Sequence, residues 1–149
     1  MNPPSPIILE TPVRGVRLYE MPCSIDSERG HLTVGEAPSG LPFLPQRYFL
    51  TFGVPPGQTR GNHAHRHCSQ FLLCSHGECS LLADDGSNQE EILLDRPTLG
   101  VFIPPLTWCT LKWGSADSVL LVLASFPYEE ADYIRDYAKF LTLARSRST

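Results

Sequence analysis

The sequence Gly57-Gln-Thr-Arg-Gly-Asn-His-Ala-His-Arg-His-Cys-Ser-Gln70 is the most informative segment of this chain, because it contains two histidines separated by one residue. An extended strand points alternate side chains to the same face, so a strand here presents His63 and His65 together. A neutral imidazole accepts or returns a proton near physiological pH, or binds a metal ion. The pair therefore predicts a functional cavity. The structural alternative is a strand with an exposed polar face.

The composition predicts one globular domain built from short elements. The chain has 149 residues, of which 42% are hydrophobic and 19% are charged, and this is enough to bury a core. Its 14 prolines and 11 glycines favour many turns, as in an all-β fold. The net charge of -4 and the absence of a basic stripe argue against a nucleic-acid partner. A few arginines in one pocket would still suffice for an anionic ligand.

The order of apolar runs and turns predicts an all-β domain with a short C-terminal α-helix. Residues 1–12 are rich in proline, and we expect a flexible or exchanged N-terminal arm there, followed by a single domain over 13–149. Roughly eight to ten short strands separated by turn signals predict a sandwich or a small barrel. In the tail, acidic residues come first and basic residues last around apolar residues at helical spacing. This pattern predicts an amphipathic helix that includes Tyr133, Ile134 and Phe140, with its aromatic stripe packed on the core.

The five cysteines predict a reducing, cytoplasmic environment rather than a disulfide framework. Their number is odd, no CxxC motif occurs, and no signal peptide is recognisable ahead of them. The longest apolar run, Val119 to Ala124, is far too short to span a bilayer, so we expect no membrane association.

The spacing of the central segment resembles the first cupin motif. That motif carries glycine, His-x-His, glutamate and glycine at the offsets of Gly57, His63, His65, Gln70 and Gly77. The glycine, proline and last histidine of the second cupin motif fall at Gly100, Pro104 and Cys109. The resemblance implies a cupin jelly-roll β-barrel with its site in the mouth.

The ligands of a metal-binding cupin are only partly present. Gln70 replaces the glutamate and Cys109 replaces the last histidine, and a neutral amide is a poor ligand. The favoured interpretation is a site without metal or other cofactor, in which the histidines move protons. The alternative is a metal-dependent cupin enzyme, such as a dioxygenase, in which His63, His65 and Cys109 hold zinc together with a water.

Further segments resemble the nucleotide-sugar 3,4-ketoisomerases of the cupin superfamily. They are Asp26-Ser-Glu-Arg-Gly30, Arg60-Gly-Asn-His-Ala-His65, Leu94-Asp-Arg-Pro97, Val122-Leu-Ala-Ser125 and Tyr128-Glu-Glu-Ala-Asp-Tyr-Ile-Arg-Asp-Tyr137. The resemblance implies that a dTDP-linked 4-keto-6-deoxyhexose is converted to the 3-keto sugar, in the biosynthesis of 3-amino deoxysugars for surface glycans or antibiotics. It also implies catalysis without metal and a homodimer that exchanges N-terminal strands.

The resemblance implies a role for each candidate residue. His63 and His65 are expected to be the general acid–base pair, typically worth ~10² to 10⁴-fold per group, and by resemblance alone His65 takes the proton from carbon. Arg29 and Arg60 are expected to stabilise the enolate oxygen or clamp a phosphate, with a solvated surface arginine as the alternative. The other expected substrate contacts are Arg47, Phe49, Gln70, Trp108 and Cys109.

Two departures from the family pattern bear on the product. Cys109 follows Trp108 where the family has histidine, and a thiol with an ordinary pKa of ~8.5 substitutes for it only partly. Phe49 stands where family members often carry tyrosine, which removes a hydroxyl. These departures leave the configuration at the old carbonyl carbon open. They also make a non-catalytic sugar-nucleotide-binding cupin the third interpretation.

Overall fold

A computed structural model describes residues 4–147, so residues 1–3 of the expected N-terminal arm lie outside the described part of the chain. Thirteen short strands and one C-terminal helix make up this part, and a 3₁₀ turn at Glu130–Asp132 precedes the last strand. The strands are β1 Ile7–Glu10, β2 Arg17–Glu20, β3 Cys23–Asp26, β4 Gly30–Thr33, β5 Arg47–Thr51, β6 Thr59–His65, β7 Gln70–His76, β8 Cys79–Asp84, β9 Gln89–Leu94, β10 Leu99–Ile103, β11 Trp108–Trp113, β12 Val119–Ala124 and β13 Tyr133–Ile134, and the helix is α1 Tyr137–Ser146.

The strands form two antiparallel sheets that face each other across the main core. The first has six strands in the order β1-β2-β10-β7-β12-β5, and the second has five in the order β13-β6-β11-β8-β9. Strands β3 and β4 form a separate hairpin. The predicted all-β class with a C-terminal helix is confirmed. The sheets are jelly-roll-like, but they do not close into the expected barrel, because within residues 4–147 the edge strands β1, β5, β9 and β13 each pair on one side only.

Alternating side chains of the two sheets fill the space between them. In β11 and β12 every second residue is buried, which is the period expected of a strand with one face on a core. Leu111 and Trp113 enter the core from the second sheet, and Leu120 and Val122 meet them from the first. This packing fixes which face of every neighbouring strand points inward.

The N-terminal segment forms an edge strand on its own chain. Strand β1 pairs with β2, from Ile7 opposite Glu20 to Glu10 opposite Arg17, and its apolar residues are exposed. Exchange of this strand between two chains stays a prediction. No helix in residues 4–147 is long and apolar enough to cross a membrane.

The tail differs from the sequence prediction at its start. Tyr133 and Ile134 were expected in the helix, but they form strand β13, which pairs with His65 and Ala64. The helix begins only after Asp136, whose side chain accepts a hydrogen bond from the backbone N–H of Lys139. Helical spacing could not reveal this boundary, because the strand exists only where the edge of β6 is available to pair with it.

Helix α1 packs on the outer side of the second sheet. Its Phe140 and Ala144 are fully buried together with Ile134 and with Ala64, the residue between the two histidines. The helix therefore supports the backbone that carries the candidate site.

Replacing Phe140 with alanine should lower the free energy of unfolding by about 3–5 kcal/mol, since a fully buried phenylalanine is removed and a cavity is left. Phe126→Ala is the matched control, because the same truncation at a side chain that is 49% exposed should change stability by less than about 1 kcal/mol. Urea unfolding of both variants measures the difference. Equal losses would contradict the assignment of α1 to the folded core.

Candidate active site

Strand β6 carries the two histidines near the edge of the second sheet. His63 lies opposite Cys109, a residue of the main core, so both side chains point between the sheets. Ala64 points the other way, against Ile134 and helix α1. The rings of His63 and His65 meet edge to face with their centroids 5.0 Å apart, closer than the roughly 7 Å that separates the two residues along a strand.

A bulge in β6 positions His63. Gly61 and Asn62 have φ angles of 84° and 58°, and the register against β11 shifts between Cys109 and Thr110. Glycine is required at position 61, since a Cβ there would lie 2.9 Å from the carbonyl oxygen of Cys109. The carbonyl oxygen of Gly61 then accepts a hydrogen bond from Nδ1 of His63 at 3.1 Å.

Asp132 positions the second histidine. Nδ1 of His65 donates to Oδ2 of Asp132 at 2.9 Å, and both side chains are largely buried. The same carboxylate accepts the backbone N–H groups of His67 at 2.7 Å and Cys68 at 3.3 Å. The opposite nitrogen of His65, Nε2, is buried and has no hydrogen-bond partner among residues 4–147.

Both imidazoles are held as the tautomer that leaves Nε2 available to accept a proton. A carbonyl and a carboxylate only accept hydrogen bonds, so Nδ1 of each ring carries the hydrogen. Burial, together with the neighbouring His65, lowers the pKa of His63 to about 4. Burial also lowers the pKa of His65, but the hydrogen bond and charge of Asp132 oppose that effect. The pair therefore consists of two neutral bases at neutral pH, and His65 has the support of a carboxylate.

Residues from both sheets surround the pair. The ring centroid of Tyr133 lies 5.0 Å from that of His63 and 4.4 Å from that of His65. From β5 of the facing sheet, the guanidinium of Arg47 lies over the Phe49 ring at 5.4 Å from its centroid. The positive charge of Arg47 contributes to the lowered pKa of His65, which is dominated by burial. The Nε of Arg47 is buried without a hydrogen-bond partner in the described part of the chain, so it is a donor available to a ligand.

The model of the WxcM-like C-terminal family, FdtA, matches residues 14–145. The chain belongs to the FdtA family. The TDP-4-oxo-6-deoxy-alpha-D-glucose-3,4-oxoisomerase of Aneurinibacillus thermoaerophilus is 40% identical over 116 residues, which cover 78% of this chain and 83% of the relative. The expected resemblance to nucleotide-sugar 3,4-ketoisomerases is thus confirmed.

Solved structures of two 3,4-ketoisomerases share this fold. QdtA, a sugar 3,4-ketoisomerase from Thermoanaerobacterium thermosaccharolyticum in complex with TDP, superposes with a TM-score of 0.86 at 34% identity, over 90% of this chain and 97% of that chain. WlaRB, a TDP-quinovose 3,4-ketoisomerase from Campylobacter jejuni, superposes with a TM-score of 0.83 at 35% identity, over 87% of this chain and 99% of that chain.

Four of the other residues expected from the FdtA-like motifs lie on the inner faces of the sheets. Arg47 and Phe49 lie on β5, and Phe49 packs against the main core. Gln70 is buried at the start of β7, on the same face as the core residue Leu72. Arg60 lies opposite the core residue Leu111, so its exposed side chain is on the face that carries the histidines.

Two expected site residues lie elsewhere. Trp108 precedes Cys109 in β11 and points to the opposite side, where its ring packs against Tyr137 and Phe140 at centroid distances of 5.1 and 5.6 Å. Arg29 lies at the exposed tip of the β3–β4 hairpin, where it binds the Asp26 carboxylate through two nitrogens at 2.9 and 3.0 Å. Neither side chain adjoins the histidine pair.

Cys109 presents a neutral thiol to the space between the sheets. It is buried opposite His63, and burial, with the charge of Asp84, raises the pKa of the thiol to about 12. At neutral pH the group therefore stays protonated and serves neither as a base nor as a thiolate nucleophile.

Sequence reasoning missed Asp132 and Tyr133. Both belong to the tail segment that resembles the family, but its helical spacing predicts helix-stabilising acidic residues and an aromatic face packed on the core. The signal that marks them is the Asp-Tyr-Ile-Arg motif itself, since Asp132 is hydrogen-bonded to a predicted catalytic histidine from 67 residues away.

One group of three potential metal ligands occurs among residues 4–147, and it consists of His65, Cys68 and Asp132. The set expected in the metal-dependent alternative, His63, His65 and Cys109, does not form such a group. A cavity of about 430 Å³ has Asp132 in its wall, together with Arg66 and His67, but neither His63 nor His65.

Replacing Asp132 with asparagine should lower the free energy of unfolding by about 1.5–3 kcal/mol, because hydrogen bonds to a charged, largely buried carboxylate are weakened. Imidazole nitrogen chemical shifts in NMR should also show His65 losing its single Nδ1–H tautomer.

Asp117→Asn is the matched control, since Asp117 pairs with His76 at 3.1 Å on the surface, where both side chains are about two-thirds exposed. That variant should change stability by less than about 1 kcal/mol. If Asp132→Asn also lowered the free energy of unfolding by less than about 1 kcal/mol, the structural role of the His65–Asp132 pair would be refuted.

Proposed function

We propose that this protein isomerises a dTDP-linked 4-keto-6-deoxyhexose to the 3-keto sugar by proton transfer, without a metal. The observation that carries the proposal is the neutral His63–His65 pair. His65 is held by Asp132, and its buried Nε2 has no hydrogen-bond partner among residues 4–147. Membership of the FdtA family, with a relative named as a 3,4-oxoisomerase and another crystallised with TDP, supports the substrate class.

The proposed reaction starts at carbon 3, next to the ketone. Nε2 of His65 takes the carbon-bound proton, and the charge of Asp132 stabilises the imidazolium that forms. The electrons of the broken C–H bond form the C3=C4 double bond of an enediol, and the former C4 carbonyl oxygen becomes the developing oxyanion. His63 moves the proton of the C3 hydroxyl to the C4 oxygen. The protonated His65 then delivers its proton to C4, which leaves the ketone at C3 and the atom count unchanged.

Arg47 is the proposed donor to the developing oxyanion. Its Nε is buried with no hydrogen-bond partner in the described part of the chain, and its charge is close enough to help lower the pKa of His65. A preorganised donor in a site shielded from water stabilises a developing negative charge well. Arg60, on the same face of β6 but exposed, is proposed to contact the diphosphate.

The other residues expected to contact the substrate lie in different parts of the structure. Gln70 and Phe49 are proposed to border the sugar because they lie on the inner faces, and Cys109 is proposed to do so as a neutral thiol. Arg29 stays a proposed substrate contact that rests only on the family's early Arg-Gly turn. Trp108 is proposed to support the site through its packing with helix α1.

The cellular context is also proposed from the family resemblance. We propose a homodimer that exchanges N-terminal strands, and a role in making 3-amino deoxysugars for surface glycans such as O-antigen. The exposed apolar residues of β1, Ile7, Ile8 and Leu9, are 49–64% exposed and support a second chain at this edge. A cytoplasmic location is supported by the five cysteines, which are all free thiols.

Replacing His65 with asparagine should abolish exchange of the C3 proton with deuterated solvent, because the base is lost, while His63→Asn should leave some exchange but block full isomerisation. Each loss should be roughly 10²- to 10⁴-fold. Proton NMR of dTDP-4-keto-6-deoxyglucose incubated with each variant in deuterated water measures both events. Asp132→Asn should also slow exchange, mainly by lowering kcat, because the tautomer of His65 is no longer fixed.

His67→Asn is the matched control for this experiment, because the exposed His67 contributes only its backbone N–H to Asp132. It should keep wild-type exchange and turnover. Wild-type exchange in His65→Asn would show that His65 is not the base. Full turnover in both site variants would refute the mechanism and favour the non-catalytic or metal-dependent interpretation.

Light scattering at micromolar protein concentration should give the mass of a dimer, because strand exchange covers the apolar edge formed by β1. Ile7→Glu should shift the equilibrium toward monomer, since it places a charge in the proposed contact. Leu93→Glu changes a similarly exposed residue of β9 and should leave the dimer intact. A monomeric wild-type protein would count against the exchanged dimer.

A further inference from the structure

A group of three potential metal ligands shares His65 with the histidine pair. One ligand atom each from His65, Cys68 and Asp132 lies within 4.8 Å of the others. His65 and Cys68 are buried, and Asp132 is largely so. No step of the proposed isomerisation uses the Cys68 thiol, whose S–H donates to the carbonyl oxygen of Ser69 at 3.3 Å.

We propose that His65, Cys68 and Asp132 form a binding site for a thiophilic divalent cation, such as Zn²⁺ or Cd²⁺, and that occupancy of this site switches the active site off. The donors are an imidazole, a thiolate and a carboxylate, a set that suits zinc and cadmium far better than Mg²⁺ or Ca²⁺. Two anionic ligands balance the charge of the ion, so no net charge is buried.

The geometry requires only a small adjustment. Ligand atoms around a tetrahedral zinc lie roughly 3.3–3.8 Å apart. Donor atoms as far apart as 4.8 Å would need to close by about 1.0–1.5 Å, whereas Nδ1 of His65 and Oδ2 of Asp132, now 2.9 Å apart, would need to separate slightly. They are held near one another because Asp132 already accepts hydrogen bonds from Nδ1 of His65 and from the backbone N–H of Cys68. The cavity of about 430 Å³ has Asp132 in its wall, so this carboxylate is the ligand through which a cation would enter from that side.

Binding has a defined proton balance. The cation displaces the thiol proton of Cys68, which passes to solvent, and His65 binds through Nδ1 as a neutral imidazole whose single hydrogen has moved to Nε2. Bonds from the metal to sulfur, nitrogen and oxygen replace the hydrogen bond between His65 and Asp132. His65 is then held by the metal and has lost the carboxylate support that makes it the base of the proposed reaction. Inhibition therefore rests on the proposed function, whereas metal binding does not.

The test is a titration of the metal-free, full-length protein with Cd²⁺, followed by the ultraviolet charge-transfer band of a cadmium–thiolate bond. The wild type should show a saturable band with one equivalent. Cys68→Ser should lose that band and bind at least about tenfold more weakly by calorimetry, because losing even an indirect support of a metal ligand typically weakens binding roughly 10- to 100-fold. Asp132→Asn should also weaken binding.

Cys74→Ser is the matched control. Cys74 and Cys79 are buried with their sulfurs 3.8 Å apart. This pair of thiols is therefore the competing site at which a thiophilic cation could bind. This variant should keep the one-equivalent band of the wild type. In activity assays, Zn²⁺ should inhibit the wild type and Cys74→Ser, EDTA should restore both, and Cys68→Ser should be active and at least tenfold less sensitive.

The outcomes separate the two proposals. A Cys68-dependent band in a protein without isomerase activity supports the metal site and refutes the proposed function. An active enzyme that gives no band, or gives the same band in Cys68→Ser, overturns the metal site and leaves the proposed function standing. A band lost in Cys74→Ser but not in Cys68→Ser assigns the cation to the Cys74–Cys79 pair and also overturns the proposal.

Discussion

The hydrogen bond between His65 and Asp132 is the interaction on which the site depends. It joins residues 67 positions apart and brings the tail of the chain to the edge of β6. Because the same carboxylate accepts two backbone N–H groups of the segment that leaves β6, it also fixes the path of that segment. Tyr133 follows directly and packs against both imidazoles. One buried acceptor therefore sets the tautomer of a base and the start of a loop, and it precedes the residue that packs on both rings.

Burial and hydrogen bonding divide the two histidines chemically. Both rings are neutral because the low-dielectric interior disfavours the imidazolium. His63 is held by a carbonyl oxygen, which carries no full charge to stabilise a gained proton. His65 is held by a carboxylate, which does. The same residue type at two positions of one strand therefore fits two roles, a carbon base and a shuttle between oxygens, and the difference arises from the partner of Nδ1.

Arg47 lies at the start of the edge strand β5, in the sheet that faces the histidines. Its Nε is buried and has no hydrogen-bond partner among residues 4–147. The aromatic rings of Phe49 and Tyr128 flank its guanidinium, which limits the conformations it can adopt. Helix α1 closes the outer side through Phe140 and buries Ala64, so the strand that carries the histidines is packed from behind. The histidine pair thus faces the space between the sheets and is supported by apolar packing on the outer side.

The amino-acid pattern by itself determined the class of fold, the family and the two histidines. The period of a strand is two, so His-x-His puts both rings on one face regardless of tertiary context, and alternating or apolar runs predict strands in the same way. Positions that depend on contacts distant in sequence were not predictable. Tyr133 and Ile134 fit a helical spacing until β6 offers them an edge, and Asp132 becomes a partner of His65 only when that pairing forms. Likewise, Trp108 and Cys109 are neighbours in one motif, but the pleat of the strand points them to opposite faces. Trp108 packs against helix α1, and Cys109 points between the sheets opposite His63. Local periodicity is a property of the backbone and can be read along the chain, whereas the partner of a buried polar group is chosen by the packing of the whole domain.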